Sequence, residues 1–307
     1  MSRSRSAAAL LGVAALSLLW PAEAHAWTPG THIFLGESIL ANLHLLPAAV
    51  ADLLRLFPLD FLYGSIAADT SIAKKYAPIG RHCHHWPVGQ EMLDRAAARA
   101  QQAFGWGYLA HLAADVVAHN HFVPHQLVLT STTVGAGHAY WEARVEPHLG
   151  RRYPERARDL LHEDQRANDA HLDRILSPTL FSVGTSRRLF RGMVRVTRSS
   201  GWQLGMETAR DFSRWSLDDA LLEAHLALSF DYAMAVLAGE DQRVRRQDPS
   251  GEDALAHAKP LRRSVLSEGH LRRPVRLLDA AADAFGLPDQ PRPWLDAANW
   301  ISPTALR

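Results

Sequence analysis

His111, Asp115 and His119 stand four residues apart, and each is a side chain that binds metal ions. On an α-helix a step of four advances about 400°, so the three drift only about 40° apiece along one face. His138 and Glu142 repeat the step after Thr133-Val134-Gly135-Ala136-Gly137, a stretch that reads as a flexible connection. Upstream, His82, His84 and His85 add a cluster of imidazoles, and His32 and Asp69 add further ligands. The chain carries 17 histidines, and eight of them lie between positions 82 and 138. An even spread would put about three there. A lone His-x-x-x-Asp pair is ordinarily a satisfied pair on a helix surface. Two such units beside a histidine triplet point instead to metal. Imidazole with carboxylate suits zinc best among the available divalent ions, and at least eight candidates exceed the four ligands of one tetrahedral site. Two or three ions are implied.

Helices must position these residues. Sustained alternation of β-branched and polar residues is missing from the sequence, as is any Asn-Gly or Asp-Gly hairpin signal. Helical periodicity runs through residues 33–45, 88–103, 106–119, 140–149, 154–176 and 216–239, with Thr31 and Ser216 as candidate N-caps. The fold class is all-α. Residues 240–260 shift to Arg, Gln, Asp, Ser, Gly and Pro and read as a linker, followed by a helix over 263–285 and a Pro-rich tail holding Trp294 and Trp300.

The first residues read as an export signal. Arg3 and Arg5 precede an apolar run over 7–19, then Pro21 and the Ala-x-Ala cleavage pattern Ala24-His25-Ala26. The run is shorter than the roughly 20 residues that cross a bilayer as a helix. Cleavage there leaves Trp27 first and a chain expected to be soluble, and export means a periplasmic or secreted location. The expected organisation is a signal peptide over 1–26, a catalytic domain over 27–239 and an extension over 240–307. Losing Arg3, Arg5 and Glu23 takes 33 basic and 32 acidic side chains to equal numbers. So balanced a charge disfavours a stable nucleic-acid partner. Cys83 is the chain's one cysteine and rules out an internal disulfide. It reads as a buried thiol, with soft-ligand character as the alternative.

These residues resemble the zinc-dependent phospholipase C family, which includes bacterial three-zinc phospholipases C, relatives of glycosylphosphatidylinositol-specific phospholipase D and, distantly, zinc single-strand nucleases. In that family the mature chain begins with a Trp whose α-amine and carbonyl oxygen chelate zinc. Trp27 and His32, in Trp27-Thr28-Pro29-Gly30-Thr31-His32, resemble the first two ligands. An α-amine, with its pKa near 8, gives up its proton to zinc at modest cost. Tyr63-Gly64-Ser65-Ile66-Ala67-Ala68-Asp69 resembles the family's Asp element, and Asp69 matches its general base. Arg81-His82-Cys83-His84-His85-Trp86 resembles the next ligand region, where one His is needed. His84 fills it best, with His85 or His82 as alternates. His111 and Asp115 match the central pair, Asp115 at the position that bridges two zincs, and His138 and Glu142 match the last pair. The resemblance spans residues 27–150 and implies a multi-helix bundle with the metal site between helices.

The next ligand stays open between two residues. Three-zinc phospholipases place it six residues after the bridging Asp, at His121, and phospholipase D-like relatives four after, at His119. A continuous helix favours His119, and His121 requires that helix to end near Asn120. The implied reaction is hydrolysis of a phosphodiester by metal-activated water, with Asp69 orienting or deprotonating the water. Trp86 and Trp141 are candidates to shape a substrate cleft, against a plain core role. Arg187, Arg188, Arg191, Arg195 and Arg198 form a stripe able to meet phosphates at a membrane surface, or simply a solvated helix face. Phospholipid is the expected substrate. A nuclease on the same scaffold and a non-catalytic metal-binding protein are the alternatives.

Overall fold

The computed structural model describes residues 27–196, 208, 213, 215–268 and 273–303; the expected signal peptide over 1–26 and Arg198 lie outside the described residues. Every regular element among the described residues is helical. The chain runs through α1 (Pro29–Ala41), α2 (Ala48–Leu56), α3 (Pro58–Ala67), α4 (Trp86–Asp94) and α5 (Arg99–Val117). A wide π-type turn, Ala118–Phe122, leads to α6 (Val123–Leu129), and α7 (Val134–Leu149), α8 (Arg152–His162), α9 (Arg166–Ile175) and α10 (Val183–Val196) follow. The last are α11 (Asp219–Ala238), α12 (Glu252–Ser267), α13 (Arg273–Phe285) and α14 (Pro293–Ala297).

Two helices buried on nearly all sides, α5 and α11, form the centre of the bundle. A helix covered all round has no polar face to show, so both read as apolar without a stripe. Helix α11 has the length and hydropathy of a membrane-crossing helix and is mostly covered by its neighbours. Helix α3 crosses α5 almost backbone to backbone at Gly64 and Gly107. A Cβ on Gly64 would lie 2.0 Å from the Phe104 carbonyl oxygen, and one on Gly107 2.0 Å from that of Phe61. Only glycine permits that approach.

Several boundaries differ from the sequence expectation. Thr28, not Thr31, caps α1, because Pro29 starts the helix and the Thr28 hydroxyl accepts the Thr31 N–H at 3.3 Å. Asp218, not Ser216, caps α11, accepting the Leu221 N–H at 2.8 Å. The periodic stretch 88–103 breaks into two helices where Gln101 Oε1 accepts the Ala97 N–H. The stretch 154–176 breaks where Asp164 takes the Arg166 N–H. Residues 134–137 are the first turn of α7, capped by Thr133, rather than a flexible connection. Most of the expected linker's second half is helical: α12 contains Pro260 and is held by burial of Ala258 and Val265.

The arginine stripe does not form a solvated or phosphate-facing surface as a whole. Arg187 pairs with Asp169 and Asp173, Arg191 also reaches Asp169, and Arg195 meets His162 at 3.0 Å. The segment after α11 folds back onto the domain. Helices α12 and α13 pack on α6, Asp231 caps α14 through the Trp294 and Leu295 N–H groups, and Trp300 meets Phe34 edge to face and Phe230 at a tilt.

Candidate metal centre

The close crossing of α3 on α5 has a chemical consequence. It brings the Ser65 carbonyl oxygen to 2.9 Å from His111 Nδ1, so Nδ1–H donates there and Nε2 is the nitrogen left to face inward. One and two turns along α5 and its π-type extension come Asp115 and His119. His119 Nδ1 meets the Pro249 carbonyl oxygen at 2.6 Å, which again leaves Nε2 as the inward nitrogen. The Cys83 thiol lies 3.2 Å from His84 Nδ1, and His84 Nε2 points into the same chamber.

Asp115 is the hub. Its oxygens lie 3.3 Å from His32 Nε2, 2.9 Å from His84 Nε2 and 3.1 Å from His111 Nε2, and its residue is fully buried. His84 Nε2 also stands 3.3 Å from Asp69 Oδ1, and His111 Nε2 3.9 Å from it. One ligand atom each from Asp69, His84, His111 and Asp115 falls within 4.8 Å of the other three. His32 stacks on His111 with centroids 3.9 Å apart, and His119 meets His84 and His138 edge to face at 5.9 and 5.3 Å. His138 Nε2 lies 3.3 Å from Glu142 Oε1. Side chains far apart in sequence thus converge on one buried chamber between helices.

Trp27 is fully buried, and its indole N–H reaches the Ala114 carbonyl oxygen at 3.2 Å and the Ser229 hydroxyl at 3.3 Å. Its side chain therefore docks one residue from Asp115. His121 turns the other way: Nδ1 faces the Gly286 carbonyl oxygen at 3.1 Å, beside α13 rather than the chamber. The α-helix does end near Asn120, in the π-type turn, but that turn aims His121 at the C-terminal helices. His85 precedes α4 and lines an outer pocket of about 260 Å³ with Trp86, Pro87 and residues 245–249. Trp86 is half-buried there, donating its N–H to the Gln247 carbonyl oxygen with the Arg245 guanidinium over its ring. Trp141 is 1% exposed and sits in the core, which removes it from the cleft surface.

The donor set fits a metal. His32 Nε2, His138 Nε2 and both oxygens of Asp115 are buried, yet none makes a hydrogen bond. Orphaned polar atoms are costly in a protein interior unless something else satisfies them. Burial pushes His32 down to about 4, and burial pushes both His119 and His138 down to about 3. All three are neutral imidazoles at neutral pH, the metal-binding form. Burial would raise Asp115, but His111, His32 and His84 around it hold it well below the ordinary carboxylate value.

Four contributors carry no sequence signal. Lys74 reaches Asp69 Oδ1 at 3.0 Å from inside the chamber. The carbonyls of Ser65 and Pro249 orient two of the histidines, and main-chain oxygens have no residue type to betray them. Gly251 lies against His119, with positive φ and no room for a Cβ.

The model of the zinc dependent phospholipase C family matches residues 31–177. That segment holds His32, Asp69, His84, His111, Asp115, His119, His138 and Glu142, whereas Trp27 and residues 245–251 lie outside it. No curated protein and no solved structure matches the chain.

Proposed function

The chain belongs, over residues 31–177, to the zinc-dependent phospholipase C family, and on that premise we propose that it is an exported phosphodiesterase that hydrolyses phospholipids. The observation that carries the reading is Asp115: a buried carboxylate ringed by His32, His84 and His111 at 2.9–3.3 Å, with no hydrogen bond to either oxygen. That arrangement is stable when a cation stands between carboxylate and imidazoles.

Two or three zinc ions would be held by three groups of residues. Asp69, His84, His111 and Asp115 form one. Trp27, through its α-amine and carbonyl once processing exposes them, joins His32 and Asp115 in another. His119, His138 and Glu142 form the last. Bound zinc lowers the pKa of water and neutralises charge growing on a phosphoryl group. Asp69 orients the attacking water and accepts its proton. Ser65 and Pro249 keep His111 and His119 in the tautomers that face the chamber. The pocket beside His85 and Trp86 adjoins His84 in sequence and His119 through Pro249, and it receives the part of the substrate outside the chamber. Export rests on Arg3, Arg5, the apolar run 7–19 and Ala24-His25-Ala26. Substrate in a bilayer would bring the protein to a membrane surface.

The test is a panel of phosphatidylcholine, phosphatidylinositol and single-stranded DNA, assayed with zinc-loaded and chelator-stripped protein. Zinc-dependent release of a phosphorylated headgroup from either lipid is expected. Cleavage of DNA alone would make the protein a nuclease, and no hydrolysis at all would leave a metal-binding protein.

A further inference from the structure

Lys74 is 6% exposed, and its ammonium nitrogen stands 3.0 Å from Asp69 Oδ1 and 3.5 Å from His84 Nε2. Both atoms belong to the tight quartet of Asp69, His84, His111 and Asp115. The backbone is arranged to put it there. Ala73, the residue before it, holds φ at +63°, the one positive φ at a non-glycine position among the described residues. An L-residue with a Cβ resists that conformation, so the fold sustains a locally unfavourable backbone where it turns the lysine inward. The hydroxyl of Thr179 donates to the Ile72 carbonyl oxygen and pins the same turn from another helix-flanking segment.

We propose that Lys74 is a resident cation of the centre: its ammonium holds the Asp69–His84 side of the quartet before zinc arrives and competes with zinc for it afterwards. An ion drawn to Asp69 Oδ1 and His84 Nε2 must enter the space that Nζ already borders. Two positive charges so close in a buried site repel strongly. The quartet is thereby the weakest zinc site of the chain, and Lys74 is a positioning residue that sets its affinity. This inference rests on the zinc reading given above.

The experiment compares full-length, processed wild type with Lys74→Met and Lys74→Arg. Zinc affinity is measured by competition with a chelator, and the thermal midpoint is measured after zinc is stripped. Lys74→Met leaves buried carboxylates without their ammonium, so the stripped variant should melt lower than wild type. The same variant should bind its weakest zinc at least tenfold tighter. Lys74→Arg should keep the weak site. A purely structural lysine would move both readouts downward, so the opposite signs are diagnostic. Lys74→Gln retains a donor for Asp69 and carries the zinc measurement if Lys74→Met does not fold. Zinc bound by wild type and variants with equal affinities, or more weakly by Lys74→Met, overturns the proposal alone. No zinc bound by any of them overturns the zinc reading together with it.

Discussion

His119 Nδ1 lies 2.6 Å from the carbonyl oxygen of Pro249, a residue 130 positions further along the chain. The contact ties a candidate ligand inside the family-matched segment to a strap outside it. Two residues on, Gly251 adopts φ +59°, and a Cβ there would fall 2.5 Å from His119 Cβ and 2.6 Å from its carbonyl oxygen. The strap is thus part of the centre's wall.

Gly251→Ala is expected to cost roughly 1–3 kcal/mol of stability, from overpacking and backbone strain together. It should also weaken zinc at the His119 site, because the imidazole must move to admit the methyl group. Denaturant unfolding and zinc titration check both. Ser250→Ala, one residue away and half-buried, should change neither by more than about 0.5 kcal/mol.

Gly64→Ala should be worse than its size suggests, since its Cβ would meet the Phe104 carbonyl oxygen at 2.0 Å and force α3 away from α5. We expect a loss of about 1–3 kcal/mol or more, and weaker zinc binding as Ser65 leaves His111. Gly192→Ala has open space around it within α10 and should instead stabilise by up to about 1 kcal/mol.

The two tryptophans expected at the cleft should separate. Trp86→Ala, at the outer pocket, is expected to raise KM several-fold while kcat stays within about twofold. Trp141→Ala, at 1% exposure, should cost about 3–5 kcal/mol of stability as a core deletion. Steady-state kinetics and unfolding curves distinguish the two outcomes; similar KM effects would return Trp141 to the cleft.

His225, buried on α11 where it meets Phe122 of the π-type turn, is pushed down to about 3 chiefly by burial. The unfolded chain therefore takes a proton near pH 6.5 that the folded one refuses. Its contribution is whole above pH 6.5 and is lost as pH falls towards 3. For zinc-stripped protein, His225→Gln should flatten the stability profile between pH 6.5 and 4, by at most about 1.4 kcal/mol per pH unit. Parallel profiles would contradict this.

The site was more legible than the helix boundaries. Steps of four between His111, Asp115 and His119 are a local geometric signal, whereas the side His121 faces is set by the π-type turn Ala118–Phe122, which the sequence does not announce. The breaks at 95–98 and 163–165 were invisible because apolar spacing runs through them and the helices that follow start after Ala98 and Gln165 without a side-chain cap. Helix α12 was hidden by Pro260 and a polar composition, and its apolar stripe becomes evident only when Ala258 and Val265 meet α6. Lys74 could not be found because nothing in Ala73-Lys74-Lys75 distinguishes the lysine that turns inward from its neighbour. The turn depends on a backbone conformation that the residue types disfavour.

The central claim is that a zinc cluster is organised around Asp115. Its most direct test is the zinc content of purified, processed protein, measured for wild type and Asp115→Asn under the same conditions. The carboxamide keeps the shape of the side chain but removes its charge, and with it the capacity to bridge two ions. Wild type should carry two or three zincs per chain, and Asp115→Asn at least one fewer. Wild type with less than one zinc, or a variant that retains the full complement, would contradict the account.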